Sequence, residues 1–458
     1  QGSAYKNTSS SYNWTFDNIL NYKRTFDIHS FDATLVYGIE SREGEGTDAT
    51  AQIFLNDALG YNSLEAGQAD LRGIASSAWD ENSIYAMGRL HYRYKDKYLF
   101  TGTIRRDAFS GFGANNKVGY FPSLALGWVL SEEDFVKDNI SWLNQLKLRI
   151  SYGTNGNRTV GRYATLAKLS SATRYIYGDG ANPEMAQWIS ALSNADLKWE
   201  RTTTSNLGLD FAMLNNRLSG YIETYVGNTS DLLYNIDIPV VNGFGSIATN
   251  IGKMKNRGIE FSINGNPIEY QDFRWDILFN FSLNRNKVVS IRGTDVNKDG
   301  IEDNIISSSA GNSIIMGKPY GLWYDYDLYG MWQIADGTSI PSGFTFGTYK
   351  IRDISGPGGE PDGSWTPAYD RTIVGYKDPS YRFSILNSFN YKNLEFKFFI
   401  NSVQGGKDYY KAVAAGNWTN IDNLKQNNSA SWDWWTPQNP DAKYRRIGDY
   451  PKPVGETV

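Results

Sequence analysis

One short stretch of the sequence has the residue types and spacing of a calcium-binding loop. Oxygen donors recur at alternate positions after Asp295, and Gly300 would allow the sharp turn that such loops need. The candidate ligand positions are Asp295, Asn297, Asp299, Ile301 and Asp303. Ile306 occupies the twelfth place, where an acidic ligand is expected, so an exposed turn rich in Asp and Asn is the alternative interpretation. Calcium is a possible cofactor, and none is required.

A charged run and a set of aromatic residues are candidates for ligand binding. Arg105 and Asp107 end a predicted strand beside a loop, where they could contact a polar ligand; an ion pair within the sheet is the alternative. Aromatic side chains in predicted loops could stack on sugars or grip a peptide, and packing within the loops or against a partner is the alternative. These aromatic residues are Trp79, Tyr175, Tyr177, Trp188, Trp418, Trp432 and Trp434.

The composition argues against several kinds of chemistry. The 458 residues contain no Cys, and the two His, His29 and His91, lie far apart, which disfavours thiol, disulfide and zinc sites. No serine-hydrolase elbow, zinc-protease motif or phosphate loop occurs, so we expect that the protein is not an enzyme. The net charge of −4 provides no basic field for nucleic acid. There is no apolar run of the roughly 18 residues that a transmembrane helix needs.

A regular alternation of apolar and polar residues predicts long β-strands. Between Tyr12 and Phe26, even-numbered positions are mostly apolar and odd-numbered positions mostly polar. The pattern resumes from Phe31 after a break near Asp27, which predicts a hairpin. Similar runs along the chain predict roughly twelve to fourteen strands. Aromatic residues, 15% of the chain, recur at predicted strand ends, as they do in the girdles of membrane barrels.

The predicted connections alternate between short and long. Short turns are predicted near residues 27–28, 95–97, 214–217, 264–272 and 392–393. Long connections are predicted at about 41–82, 154–197, 287–318 and 405–458. This asymmetry favours an all-β fold, a transmembrane antiparallel β-barrel with short periplasmic turns and long extracellular loops. A soluble all-β protein is the alternative that the alternation alone leaves open.

Several phrases of the sequence resemble the SusC/RagA-like family of TonB-dependent outer-membrane transporters. The stretch Tyr98–Phe135 carries Arg-Arg-Asp, Ser-Gly-Phe-Gly, Phe-Pro-Ser and Trp in the order found in that family. The phrase NIGKMKNRGIEFSI, Asn250–Ile263, is the most specific. The other matching phrases are Leu146–Asn157, Phe273–Ile291, Gly317–Gln333 and Trp434–Ile447. Together they span nearly the whole chain in the family's order.

The resemblance implies a barrel of 22 strands in the outer membrane of a Gram-negative bacterium, with an N-terminal plug. It implies active import of an oligosaccharide or oligopeptide, energised through TonB and assisted by a SusD-like surface lipoprotein that closes over the mouth as a lid. Residues 1–458 are then expected to be part of the barrel domain, without the plug, the TonB-binding segment and the last strands. A passive porin-like or adhesin barrel and a soluble all-β carbohydrate-binding protein are the alternatives.

Overall fold

The chain divides into two compact units, Gln1–Met254 and Lys255–Val458. The computed structural model describes residues 2–56, 58–176, 183–238, 241, 243–296, 298–307, 312–406 and 433–446, with the backbone only at 171–176, 183–186 and 237. The described residues are mostly in β-strands, which confirms the prediction of an all-β fold.

Antiparallel strands build the first unit. Its strands are β1 (Ser3–Phe26), β2 (His29–Gln52), β3 (Gly73–Tyr94), β4 (Tyr98–Phe109), β5 (Val118–Val129), β6 (Leu143–Asn157), β7 (Lys168–Ile176), β8 (Pro183–Ala191), β9 (Glu200–Met213), β10 (Leu218–Ser230), β11 (Leu233–Asp237) and β12 (Ser246–Asn250). Eight of them lie side by side in the order β1-β2-β3-β4-β5-β6-β9-β10. The other four form two separate hairpins, β7 with β8 and β11 with β12. Each long strand therefore pairs with its neighbour in sequence, except where the β7–β8 hairpin intervenes.

The second unit repeats this pattern with fewer long strands. Its strands are β13 (Lys253–Tyr270, which begins at the boundary), β14 (Phe273–Ser290), β15 (Leu322–Tyr326), β16 (Leu328–Met331), β17 (Tyr349–Ile351), β18 (Arg371–Tyr376), β19 (Tyr381–Tyr391) and β20 (Leu394–Gln404). The long strands lie in the order β13-β14-β19-β20, and the short strands pair as β15 with β18 and β16 with β17. The long connection between β14 and β19 thus contains two small sheets.

Helices are short and lie in the connections. The α-helix spans Asp134–Lys137, and the 3₁₀ segments span Gly60–Asn62, Leu64–Ala66, Ala69–Leu71, Leu130–Glu132 and Ile334–Ser339. None of the helices in the described part of the chain is long and apolar enough to cross a membrane.

The structure confirms most predicted turns and corrects two connections. The turn predicted at 264–272 has only two residues outside the strands, since β13 ends at Tyr270 and β14 begins at Phe273. The long connection predicted at 41–82 shrinks to 53–72, because β2 continues to Gln52 and β3 already begins at Gly73. Both errors have one cause: these strand ends are polar or glycine-rich on both faces, so they lack the alternation that marks a strand.

Each long strand has an apolar face and a polar face. We define the apolar face of the first unit by Phe16, Leu20, Ile104, Leu124 and Ile150, whose side chains all lie on one side of the sheet according to the strand register. The relative exposure of these five side chains is 58%, 65%, 56%, 43% and 52%. A soluble sandwich would bury such a face against a second sheet, whereas a membrane barrel turns it to lipid.

Buried apolar residues lie mainly at the ends of the strands rather than on this face. One cluster consists of Phe109, Phe112, Phe121 and Trp199 in the first unit, and another consists of Met331, Trp435 and Ala442 in the second. The connections therefore have small cores of their own, which hold them in defined positions at the strand ends.

On the polar face, large side chains lie across glycines of the neighbouring strand. Tyr85 of β3 faces Gly38 of β2, which in turn faces Asp17 of β1. The Tyr85 ring passes over Gly38, and its hydroxyl donates a hydrogen bond to the Asp17 carboxylate. A Cβ atom on Gly38 would overlap both the ring and the carboxylate. Glycine is therefore required here because of space.

We predict that Gly38→Ala lowers the free energy of unfolding of the full-length protein by about 1–3 kcal/mol, the usual effect of overpacking. The midpoint of heat-induced unfolding measures it. Gly88→Ala is the matched control, since a Cβ there would meet Leu35 Cδ2 at an ordinary 3.6 Å. Equal midpoints for both variants would contradict the packing of Tyr85 over Gly38.

Candidate functional site

A cleft of about 420 Å³ opens at the polar face of the first unit, between the middle of β2 and β3 and the adjoining ends of β4, β5 and β6. We call it the polar-face cleft. Its lining residues are Glu40, Ser83, Tyr85, Arg105, Asp107, Ala108, Phe121, Asn155, Gly156, Asn157, Arg158 and Trp199. The cleft includes Arg105 and Asp107, which the sequence singled out as candidate ligand contacts. Arg106, between them, points to the opposite face because side chains alternate along β4.

Arg105 and Asp107 form an ion pair in the wall of the cleft. Arg105 Nε lies 2.8 Å from Asp107 Oδ2, and one terminal nitrogen of the guanidinium lies 2.7 Å from Oδ1. The guanidinium also lies over the Tyr85 ring, 4.6 Å from its centroid. Two parallel hydrogen bonds and a ring contact hold the cation in place, so neither charge is left over for a ligand.

A second ion pair crosses the cleft from the loop that follows β6. Arg158 donates hydrogen bonds to Glu40 Oε2 at 3.0 Å and to Ser83 Oγ at 2.5 Å. Its guanidinium lies 5.1 Å from the centroid of the Phe109 ring. Glu40 also pairs with Arg42. These contacts hold the loop against β2 and β3, so the loop forms one side of the cleft.

The remaining polar groups of the cleft are uncharged. Asn155 is exposed at its mouth, while Asn157 Oδ1 accepts hydrogen bonds from the backbone and hydroxyl of Thr159. Trp199 is 7% exposed and donates from Nε1 to the Lys117 carbonyl at 3.1 Å, so its ring supports the floor. The cleft can thus offer hydrogen bonds and apolar contact to a polar, uncharged ligand.

Trp79 is already covered by a neighbouring side chain. The Arg162 guanidinium lies 3.5 Å from the centroid of the Trp79 ring, and Arg162 Nε donates to Glu81 Oε1 at 2.7 Å. On the other strand, Gly44 leaves room for the ring. The arrangement resembles that of Tyr85 over Gly38. Trp79 could stack on a sugar only after Arg162 had moved.

Of the other aromatic candidates, the structure describes the side chains of two. Trp188 of β8 is 43% exposed, whereas Trp434 is 6% exposed and packs against Tyr444 at 5.5 Å between ring centroids. Tyr175 lies in β7, where only the backbone is described. Tyr177, Trp418 and Trp432 lie outside the described residues. A role for any of these residues in ligand binding stays a prediction.

The carboxylates of the candidate calcium loop bind nearby backbone amides. Asp295 accepts from the amides of Asp299 at 3.2 Å and Gly300 at 2.9 Å, Asp299 accepts from Ile301 at 2.7 Å, and Asp303 accepts from Val296 at 3.0 Å. Asn297 lies outside the described residues. In the part of the chain that is described, no group of three or more acidic, His or Cys side chains could hold a metal ion. Calcium binding therefore stays a prediction.

Glu302 anchors the same loop to the end of β14. Its Oε1 accepts hydrogen bonds from the backbone amides of Ile291, at 2.7 Å, and Arg292. Partial burial by itself would raise the pKa of the Glu302 carboxyl, but hydrogen bonds from Ser290 and from the backbone amides of residues 291–293 outweigh it, and the pKa lies below its usual value. The ionised carboxylate therefore stabilises the loop.

Because the pKa of Glu302 is lowered on folding, its stabilising effect is present above the ordinary Glu pKa and is lost as the pH falls through the folded value. At neutral pH, Glu302→Gln removes the carboxylate and should destabilise the loop as acidification does. We expect faster hydrogen exchange at the amides of residues 291–293, by about tenfold for the loss of a charged acceptor. Unchanged exchange there would contradict the anchoring role.

Sequence reasoning missed several residues of the cleft. Glu40 and Tyr85 could have been predicted to lie on the polar face, since both occupy the polar side of the alternation in β2 and β3. Arg158 follows β6 in an irregular loop, and no local pattern shows that this loop folds back over the sheet.

Comparisons with known proteins agree with this architecture. Residues 1–401 match the family model described as TonB dependent receptor-like, beta-barrel. The chain is 34% identical to TonB-dependent receptor P3 of Formosa agariphila, over 88% of this chain and 39% of that protein. It is 31% identical to TonB-dependent receptor SusC of Bacteroides thetaiotaomicron, over 93% of this chain and 41% of that protein. These relatives confirm the SusC-like resemblance.

The same likeness appears in solved structures. The RagAB peptide transporter superposes with a TM-score of 0.76 at 22% identity, over 98% of this chain and 48% of that chain. The chain spans about two fifths of the length of the curated relatives it matches. These relatives are receptors and transporters rather than enzymes, which confirms the expectation that the protein is not an enzyme. On the family-model match, the chain belongs to the TonB-dependent receptor-like β-barrel family.

Proposed function

We propose that this chain is part of the barrel domain of an outer-membrane importer of oligomeric nutrients, energised through TonB and closed by a SusD-like surface lipoprotein. Members of the family are outer-membrane β-barrels of Gram-negative bacteria. In this proposal residues 1–458 contribute wall and loops, and the plug and the TonB-binding segment belong to the rest of the protein. The short turns face the periplasm, and the long connections face the cell exterior.

The observation that carries the proposal is the contrast between the two faces of the wall. The apolar face exposes side chains such as Leu20 and Ile104, as hydrocarbon requires, whereas the polar face carries ion pairs and the polar-face cleft. A wall of this kind separates lipid from a water-filled lumen through which a polar oligomer can pass.

The charge balance of the cleft favours an uncharged oligosaccharide as cargo. Arg105 is paired with Asp107, and Arg158 with Glu40, so no charge is left for the terminal ammonium and carboxylate of a peptide. Hydroxyl groups of a sugar match the exposed amide of Asn155. An oligopeptide is the second candidate cargo; the likeness in fold to the RagAB peptide transporter favours it.

Deletion of the gene should abolish the uptake and growth that the transported oligomer supports, and an uncoupler of the inner-membrane proton gradient should do the same in the wild type. Fluorescently labelled neutral oligosaccharides and oligopeptides are the candidate cargoes. Uptake that survives the uncoupler would instead support a passive porin, and uptake of every candidate by the deletion strain would overturn the proposal.

The cleft itself can be tested by unpairing Arg105. We expect Asp107→Asn to increase the affinity of the full-length protein for a carboxylated oligosaccharide by about tenfold, since a hydrogen bond between charged groups is worth roughly 1.5 kcal/mol or more. Asp276→Asn, which removes the nearer of the two acidic partners of Arg274 in the second unit, is the matched control. Calorimetric titration measures both. Equal affinities of Asp107→Asn and wild type would contradict a role of the cleft in cargo binding.

The orientation of the wall predicts opposite effects at two adjacent positions. Leu124→Arg places a charge on the apolar face and should reduce the stability of the membrane-inserted barrel by about 2–4 kcal/mol near the bilayer midplane. Ser123→Arg places the same charge on the polar face and should have little effect. The amount of folded protein in outer-membrane fractions reports both. A similar loss for both variants would contradict the assigned faces.

A further inference from the structure

Aromatic rings form a continuous row on the apolar face, beside the short turns. The strand register brings Phe26, His29, Tyr94, Tyr98 and Trp128 side by side across β1 to β5. Ring centroids are 5.2 Å apart for His29 and Tyr94 and 6.1 Å apart for Tyr94 and Tyr98. The row marks the level at which the wall leaves the apolar layer of a membrane.

A second tier of rings packs against the first. Phe31 lies 6.3 Å from Phe26 and 4.8 Å from Tyr92, measured between centroids. The Tyr92 hydroxyl is 2.7 Å from His29 Nδ1, which fixes the imidazole within the cluster. Between β1 and β3 the rings therefore form a platform of definite shape.

A cation borders the platform on each side. The guanidinium of Arg24, on β1, lies 4.2 Å from the centroid of the Phe26 ring, and Lys95 Nζ, in the turn after β3, lies 5.7 Å from the centroid of the Tyr94 ring. Two strand spacings separate β1 from β3, about 10 Å. Both side chains are exposed; Arg24 lies level with Phe31 in the second tier, and Lys95 follows Tyr94 in the turn.

The backbone at Lys95 belongs to a tight turn. Lys95 and Asp96 have φ angles of 52° and 53°, the left-handed conformation that the tight turn between β3 and β4 requires. Asn and Gly adopt this conformation most readily, and a long side chain there is disfavoured. Lys392 and Gln271 adopt the same conformation in other turns, so the case for the Lys95 ammonium group rests on its place beside the rings.

Several carboxylates near the platform are already engaged. Asp96 pairs with Arg93 at 3.1 Å, and Glu133 accepts hydrogen bonds from Tyr98 and Trp128 and pairs with Lys97. Those hydrogen bonds hold the pKa of the Glu133 carboxyl below its usual value. Asp27 directly follows Phe26 in the turn between β1 and β2, so its charge would oppose an anion on the platform.

We infer that this platform is a binding site for the headgroup of an anionic phospholipid, with Arg24 and Lys95 binding the phosphate and the rings supporting the glycerol and the first methylenes. The inference rests on the proposed function, since it needs the apolar face to meet lipid. It assigns a selective lipid site to one sector of the wall, between β1 and β3. The charge of the ligand complements the two cations, and its apolar part complements the rings.

The test is native mass spectrometry of the full-length protein titrated with phosphatidylglycerol, and separately with phosphatidylcholine. We expect wild type to retain phosphatidylglycerol in preference to phosphatidylcholine. The double variant Arg24→Gln/Lys95→Asn should bind phosphatidylglycerol about tenfold more weakly, and Asp27→Asn should bind it more tightly. Asn adopts the left-handed backbone more readily than Lys, so Lys95→Asn should not destabilise the turn, and the midpoint of heat-induced unfolding checks that the double variant is folded.

Lys6→Gln is the matched control, because Lys6 is exposed on the same face of the same strand but at its opposite end. Unchanged binding in the double variant, or an equal loss in Lys6→Gln, would overturn the inference. Uptake assays on the same variants separate this result from the proposed function. Import with no lipid selectivity would reject the lipid site alone, whereas absence of import in wild type would reject the function.

Discussion

Backbone hydrogen bonding between antiparallel neighbours is the constraint on which the rest of this structure depends. An interior strand that bonds to both neighbours has few free N–H and C=O groups, so its apolar side chains can face hydrocarbon. The same geometry sends alternate side chains to opposite faces. One wall can therefore expose Leu20 on one side and bring Asp17 to the other without a buried core between two sheets.

Glycines on the polar face leave room for long polar and charged side chains to lie flat against the sheet. Tyr85 lies over Gly38, and the Arg149 guanidinium lies over Gly208, where a Cβ would approach it to 2.9 Å. Arg149 bonds to the Asp210 carboxylate at 2.8–3.0 Å. Long side chains thus lie along the sheet and neutralise one another. A surface of this kind stays hydrated and does not hold a polar oligomer by long-range charge attraction.

The alternation in the sequence was sufficient to predict the strands and most turns. The two faces of such a strand meet different environments, so apolar and polar residues alternate along it. The prediction failed at Gly73, where β3 begins, since both faces of that segment meet water. The placement of Arg105 and Asp107 in one cleft followed from their i, i+2 spacing. The contribution of Arg158 did not, because it depends on a loop that folds back over 118 residues of sequence to Glu40.

The central claim is that one face of the wall meets lipid and the other meets water. Residues 1–458 contain no Cys, so once any cysteine elsewhere in the full-length protein is replaced by serine, single cysteines can be placed at Ile104 and Leu126 on the apolar face and at Thr103 and Ala125 on the polar face. A water-soluble maleimide applied to the full-length protein in vesicles should label the polar-face pair, whereas a fluorophore at the apolar-face pair should be quenched by a lipid-phase quencher. Equal labelling and equal quenching at all four positions would contradict the account.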